Sequence, residues 1–130
     1  MKFTRSLIIS LTILIFGFAA NAQSTLDKIL QSGTLKVGTT GDFPGWRFKN
    51  TTTNEYEGFD IDVAKTLAAD MGVEIEFVPT DWKNLVSGVV ANKYYMTSSA
   101  SITTKRAMQA GYSVSYYGTG TVAMTLKENL

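Results

Sequence analysis

The segment EGFDIDVAKTLAADMGVEIEFVP, residues 57–79, decides the fold because it changes from helical to strand periodicity at one glycine. Its first half repeats apolar side chains at the i, i+3 and i+4 spacing of an amphipathic helix. These positions are Ile61, Ala64, Leu67, Ala68 and Met71. Gly72 is expected to end the helix, since glycine tolerates the left-handed conformation found there. Val73, Ile75 and Phe77 then alternate with glutamates, which predicts a half-buried strand.

Two aspartates, Asp60 and Asp62, stand at the start of this helix. A carboxylate before the first turn accepts hydrogen bonds from backbone amides that lack a partner, so we expect Asp60 to cap the helix. Side chains two positions apart on a helix diverge. We therefore interpret the pair as a cap and a solvent-exposed residue, not as a catalytic carboxylate pair.

Helices and strands alternate on both sides of this segment. Before this segment we predict a helix over residues 25–31, a strand over 35–39 and a polar hairpin over 47–56. After it we predict a helix that Thr80 or Asp81 caps and whose inward face consists of Leu85, Val86, Val89 and Val90. A strand over 94–97, a helix over 104–110 and an extended run over 116–126 follow. This order predicts an α/β fold with a mainly parallel sheet flanked by helices. Ligands bind beyond the carboxyl ends of the strands in such sheets, where the loops 40–46 and 98–103 lie.

The N-terminal 22 residues form a separate segment. Lys2 and Arg5 precede an apolar run over residues 7–20, and Ala20-Asn21-Ala22 gives a small-x-small cleavage pattern. These features predict a secretory signal peptide over residues 1–22 and a periplasmic location. The alternative is an uncleaved N-terminal anchor, although the run is shorter than the roughly 20 residues of a membrane span.

Charge and composition exclude several function classes. Two of the 12 basic residues lie in the signal segment, so the remainder carries 10 basic and 11 acidic residues. This balance argues against nucleic acid as a partner, which would require a basic surface. The chain has no cysteine and no histidine, which removes disulfides and the commonest metal ligands and general base. We predict no metal, no cofactor and no catalytic residue within the chain.

The segment SSASITTKR, residues 98–106, is a candidate anion site. Its hydroxyl groups and unpaired amides would lie where a helix opens after a strand, and Arg106 offers a planar guanidinium that matches a carboxylate. The candidate residues are Ser98, Ser99, Ser101, Thr103 and Arg106. The alternative is that Thr103 only caps the helix while Arg106 is solvated.

Aromatic residues near the other loops could form the wall of a ligand site. Phe43, Trp46 and Trp82 could stack on an apolar or cationic ligand, or could pack only against the core. Asp42 could pair with a ligand ammonium or with an amide of its own turn.

Three motifs resemble the periplasmic amino-acid-binding proteins of ABC importers, the type II solute-binding proteins of family 3. They are VGTTGDF at residues 37–43, EGFDIDVA at residues 57–64 and SSASITTKR at residues 98–106. The resemblance implies that Arg106 binds the ligand α-carboxylate together with amides around Ser99 and Ser101. It also implies that Phe43 stacks on the ligand, with a second aromatic contact from Trp82.

Two local differences from the family pattern concern the site. Tyr94-Tyr95 stands where an aspartate is common, in a segment one residue shorter, and Gly45-Trp46 replaces a more usual proline–aromatic pair.

Length is the largest difference, because members of this family have two lobes. The resemblance implies an incomplete first lobe over residues 23–118 and a hinge-crossing strand over 119–130, which would lead to a missing second lobe. We therefore expect a truncated fold that binds ligand weakly.

The resemblance implies a protein that captures a small amino acid or related carboxylate and delivers it to an ABC permease in the inner membrane. VGTTGDF also resembles the periplasmic cyclohexadienyl (arogenate/prephenate) dehydratases, which share the fold and are the enzymatic alternative. A sensor domain is a third interpretation.

Overall fold

A computed structural model describes residues 24–118 and 120 of the chain. The elements are α1 (Thr25–Ser32), β1 (Thr34–Thr39), β2 (Asp42–Phe43), β3 (Arg47–Lys49), β4 (Tyr56–Glu57), α2 (Phe59–Asp70), β5 (Glu74–Pro79), α3 (Leu85–Val90), β6 (Met96–Thr97) and α4 (Thr104–Ala107). The predicted signal peptide, residues 1–22, lies outside the described residues, as does nearly all of the predicted hinge strand, residues 119–130. None of the described helices has the length and apolar character needed to cross a membrane.

The sheet that carries the fold is parallel, as predicted. Its strand order is β5-β1-β6, with Val37 opposite Phe77 on one side and opposite Met96 on the other. A second, antiparallel sheet has the order β2-β3-β4 and contains the predicted hairpin. Because the strands of the first sheet are parallel, the loops that follow β1, β5 and β6 leave the sheet at the same edge.

The hydrophobic core lies between this sheet and the helices. One cluster of its buried members consists of Ile29, Leu35, Val37, Ala64 and Ala68. Two residues of the predicted apolar faces lie at the surface instead, since Leu67 is 39% exposed and Val90 is 54% exposed. The face of α3 that packs inward is therefore narrower than its sequence pattern predicts.

The first helix begins at Thr25 as predicted and extends one residue further, to Ser32. Ser24 and Asp27 form a capping box in which the Ser24 hydroxyl accepts a hydrogen bond from the Asp27 amide at 3.1 Å. Gly33 ends the helix in the left-handed conformation, with φ of 66°.

The start of α2 differs from the prediction, because Asp60 does not cap it. The N-cap is Gly58, and the amides of Phe59 and Asp60 donate to the carbonyls of Gly45 and Trp46 at 3.0 and 2.9 Å. The loop between β2 and β3 thus provides the acceptors that a side chain would otherwise supply. Gly58 has φ of 121°, and a Cβ there would lie 2.6 Å from the Trp46 carbonyl.

The third helix also begins differently from the prediction. Its N-cap is Asn84, and no side chain caps it. The Asp81 carboxylate instead accepts hydrogen bonds of 2.9 Å from the amide and the side chain of Asn84, one turn earlier. Thr80 therefore does not cap α3, and Trp82 lies in the turn that Asp81 closes.

The strand β6 is shorter than predicted because Tyr94 leaves the ladder and enters the interior. The Tyr94 side chain is buried between two glycines, where a Cβ on Gly38 or Gly88 would lie 2.4 or 2.1 Å from it. Its hydroxyl donates to the carbonyl of Leu85 at 2.9 Å. Tyr94 therefore links α3 to β1.

Candidate ligand-binding site

The loop after β1 presents two aromatic side chains on a tight hairpin. Phe43 pairs with Arg47 across β2 and β3, and Pro44 to Trp46 form the connection. The rings of Phe43 and Trp46 lie parallel with their centroids 6.2 Å apart, and Phe43 is 46% exposed. The two rings thus present a flat apolar surface at the edge of the sheet where ligands bind in this architecture.

The three loops that follow the parallel strands surround one open cavity of about 840 Å³. Phe43 comes from the loop after β1, Trp82 from the turn after β5, and residues 98–102 from the segment after β6. Five of the predicted ligand-binding residues line this cavity: Phe43, Trp82, Ser98, Ser99 and Ser101. Asp42, Thr103 and Arg106 are not among its lining residues.

Arg106 contacts the cavity wall through Ser101, which lines the cavity. Its Nη1 donates to the carbonyl of Ser101 at 3.1 Å, and the Thr103 hydroxyl accepts from the Arg106 amide at 3.3 Å. The hydrogen bond to Ser101 uses one of the five N–H donors of the Arg106 guanidinium. The structure records no other partner for the guanidinium within the described part of the chain. Thr103 caps α4 as predicted, but the helix ends at Ala107, so its dipole contributes less than the predicted seven-residue helix would.

Asp42 faces its own turn. Its Oδ1 accepts a hydrogen bond from the Thr40 hydroxyl, and its side chain is exposed. Of the two interpretations that the sequence leaves open, this contact corresponds to the one in which Asp42 pairs within its turn.

A buried ion pair beneath the site was missed by sequence reasoning. Arg47 and Asp60 have side chains only 2% exposed, and Arg47 Nη1 lies 3.2 Å from Asp60 Oδ2. The same Nη1 donates to the Ser98 carbonyl at 2.7 Å, and Arg47 Nε donates to the Thr40 hydroxyl at 3.1 Å. The prediction that Asp60 caps the helix is therefore wrong, whereas Asp62 is exposed as predicted.

Asp60 also forms a hydrogen bond with the serine-containing segment of residues 98–101. The Ser99 hydroxyl donates to Asp60 Oδ2 at 2.6 Å, and the Ser99 backbone has φ of 55°. The hydroxyl is thus directed to Asp60. The only sign of this network in the sequence is the position of each charge between apolar neighbours, Arg47 after Trp46 and Asp60 after Phe59.

Trp82 covers the buried guanidinium. The Arg47 Cζ lies 4.6 Å from the centroid of the Trp82 ring, within the range of a cation–π interaction. The turn that carries Trp82 is closed by Asp81, and its hydrogen bonds from Asn84 hold the pKa of the Asp81 carboxyl below its usual value. Trp82 therefore has a defined place in the cavity wall although it is 43% exposed.

An aromatic cluster continues the wall toward the C-terminal segment. Trp46 packs edge-on against Phe59 and Tyr117, with centroid distances of 5.5 and 5.0 Å. Phe59 also contacts Tyr116 at 6.3 Å. These contacts hold residues 116 and 117 against Trp46 and Phe59, beside the site.

A parallel sheet flanked by helices, with the candidate ligand residues on the loops after its strands, is the architecture of one lobe of a periplasmic binding protein. Residues 35–130 match the bacterial extracellular solute-binding proteins, family 3, and the chain belongs to that family.

Three similar proteins give the range of functions in this family. A cyclohexadienyl dehydratase of Pseudomonas aeruginosa is 38% identical over 105 residues, which cover 80% of this chain and 39% of the relative. The structure of an ancestral amino-acid-binding protein, a precursor of cyclohexadienyl dehydratase, is 41% identical with a TM-score of 0.68, covering 72% of this chain and 41% of that one. Domain 1 of TmArgBP from T. maritima, in its arginine-bound form, is 32% identical with a TM-score of 0.59, covering 63% and 65%. The chain spans about two fifths of the curated relatives it matches, such as 39% of the dehydratase.

Proposed function

We propose that this chain is the first lobe of an extracytoplasmic solute-binding protein that captures a small amino acid or related carboxylate for ABC transport. The observation that carries this proposal is the convergence of Phe43, Trp82 and the Ser98–Ser101 segment on one cavity, with Arg106 bonded to the carbonyl of Ser101. An apolar wall beside a segment of hydroxyl groups and amides, with the Arg106 guanidinium bonded to that segment, suits a ligand with a side chain at one end and a carboxylate at the other.

The proposed roles follow from the positions of the residues. Arg106 has guanidinium donors to offer a carboxylate, and amides around Ser99 and Ser101 would complete its binding. Phe43 would stack on the ligand side chain, and Trp82 would close the opposite wall. Thr103 would act through Arg106, because its hydroxyl accepts from the Arg106 amide.

The arginine-bound structure of domain 1 of TmArgBP supports the further proposal that a single lobe of this kind holds an amino acid. That relative is a single domain, of which the present chain covers 65%. Arginine is therefore the first probe to use with this protein.

The direct test is isothermal titration calorimetry of the chain with each of the standard amino acids. We expect saturable heat with at least one of them and weak affinity, because a second lobe would supply further contacts. Absence of binding by every amino acid, with a cooperatively unfolding protein, would contradict the proposal.

Export is part of the proposed function. Cleavage after residue 22 would release a chain that begins at Gln23 into the periplasm, where it would deliver ligand to an inner-membrane permease. N-terminal sequencing of the protein from a periplasmic extract tests this, and a chain that retains Met1 in the membrane fraction would contradict it.

A dehydratase is the second candidate, because two similar proteins are a cyclohexadienyl dehydratase and a precursor of one. Such a reaction requires an acid placed over the leaving hydroxyl. Incubation of the chain with prephenate or arogenate, followed by detection of phenylpyruvate or phenylalanine, tests this candidate. Product above the uncatalysed rate would favour the enzyme, whereas amino-acid binding without product would favour the transport protein.

A further inference from the structure

We propose that Arg47 is a positioning residue that sets the geometry of two walls of the ligand site. It would fix the indole of Trp82 on one side and the backbone of the Ser98–Ser99 turn on the other. This inference rests on the proposed function, because those walls line the proposed ligand cavity.

The first observation is that one guanidinium joins elements that are far apart in the sequence. Arg47 begins β3, its Nη1 binds the Ser98 carbonyl at 2.7 Å, and its Cζ lies 4.6 Å from the Trp82 ring. The same Nη1 reaches Asp60 on α2 at 3.2 Å. Arg47 thus connects the β2–β3 hairpin, to which it belongs, with the turn after β5, the segment after β6 and α2.

The second observation is that the Arg47 guanidinium is fully buried. The Arg47 side chain is 2% exposed, so its charge interacts with Asp60, Ser98 and Trp82 through a medium of low polarity. Its Nη2 has no hydrogen-bond partner among the described residues, so the guanidinium makes its hydrogen bonds there through Nη1 and Nε. A buried guanidinium with a rigid, planar shape restricts the groups around it more than a flexible ammonium would.

The third observation concerns the backbone that Arg47 holds. Ser99 has φ of 55°, a left-handed conformation that is uncommon for a residue other than glycine. Such a conformation persists where the surroundings hold it. Arg47 binds the carbonyl before this residue and Asp60 binds its hydroxyl, so the ion pair clamps the turn on both sides.

The indole of Trp82 is the part of this arrangement whose surroundings can be followed directly, by fluorescence. It is 43% exposed and lies in a turn, and the buried Arg47 guanidinium lies over its ring. Without the guanidinium we expect the indole to sample several rotamers. Preorganised walls raise affinity because the ligand does not have to order them on binding.

The test uses Trp82 fluorescence and near-ultraviolet circular dichroism in a Trp46→Phe background, where Trp82 is the only tryptophan. Arg47→Met removes the guanidinium while keeping a long side chain, and Arg47→Lys keeps the charge without the planar shape. The matched control is Lys49→Met on the same strand, which removes a cation 5.3 Å from the ring of Tyr56. Calorimetric titration with arginine accompanies each variant.

We expect Arg47→Met to shift the Trp82 emission maximum, to reduce its near-ultraviolet signal and to weaken arginine binding on the order of tenfold. Arg47→Lys should restore the signals only in part, and Lys49→Met should leave them unchanged. Wild-type Trp82 signals in a folded Arg47→Met variant would overturn the positioning role. If the parent protein does not bind arginine or any other amino acid, the proposed function fails while the Trp82 signals still test Arg47.

A variant with a buried unpaired Asp60 could fail to fold, so a second variant keeps the test decisive. Arg47→Met combined with Asp60→Leu removes both charges and leaves no unpaired ion in the interior. This double variant should fold and should show the same Trp82 shift as Arg47→Met. A cooperatively unfolding double variant with an unchanged Trp82 spectrum would contradict the proposal.

Discussion

The Ser99 hydroxyl lies 2.6 Å from Asp60 Oδ2 and donates a hydrogen bond to it, which joins the segment after β6 to the first turn of α2. The two residues are 39 positions apart in the sequence. Asp60 also pairs with Arg47. Its carboxylate therefore connects the candidate site to α2.

Replacing Asp60 by asparagine should destabilise the protein strongly. The change leaves the buried Arg47 charge without its counter-ion, which typically costs about 3–5 kcal/mol in the free energy of unfolding. Urea unfolding followed by circular dichroism measures this, and Asp62→Asn is the matched control because Asp62 is exposed on the same helix. The control should lie within about 0.5 kcal/mol of the parent. Equal unfolding midpoints for the two variants would show that the buried pair does not stabilise the fold.

Alanine at Gly58 should be far more destabilising than alanine at Gly72. Both glycines have positive φ, 121° and 67°, but only a Cβ at Gly58 would meet the Trp46 carbonyl, at 2.6 Å. The Gly72 change should cost about 1 kcal/mol for the backbone conformation alone. The Gly58 change should also separate the β2–β3 hairpin from α2. Similar costs for the two variants in thermal unfolding would contradict the close approach of hairpin and helix.

The carboxylate of Asp81 should stabilise the turn that carries Trp82 in a pH-dependent manner. Its pKa is lowered from 3.8 by hydrogen bonds from Asn84, so the folded state favours the ionised form. A lowered folded-state pKa gives stability that is present above the unfolded value and is lost as the pH falls through the folded value. The wild type should therefore lose stability relative to Asp81→Asn as the pH falls below about 4. A constant difference between the two proteins from pH 6 to pH 2 would contradict this.

The sequence predicts the layered fold well because periodicity encodes it. Apolar spacing identifies α2, alternation identifies β5, and the αβ order implies the parallel sheet that β1 forms with β5 and β6. The loops that surround the cavity could be placed for the same reason, since parallel strands end at one edge.

The supports beneath the site could not be predicted in this way. Arg47 stands in a hairpin that looks polar, and Asp60 stands where a helix cap is expected, so each has an ordinary local explanation. Their pairing depends on how the hairpin docks onto α2, through backbone hydrogen bonds from Phe59 and Asp60. Tertiary packing of this kind leaves no periodic signal in one sequence.

Isothermal titration calorimetry with arginine tests the proposed role of Arg106 most directly when it compares the parent chain with Arg106→Ala and Lys105→Ala. Lys105 is the matched control because it is an exposed cation on the same short helix. If Arg106 holds the ligand carboxylate, its loss should cost about 2 kcal/mol or more of binding free energy, while Lys105→Ala should bind as the parent does. Equal affinity of the parent and Arg106→Ala would contradict the proposal that Arg106 binds the ligand carboxylate.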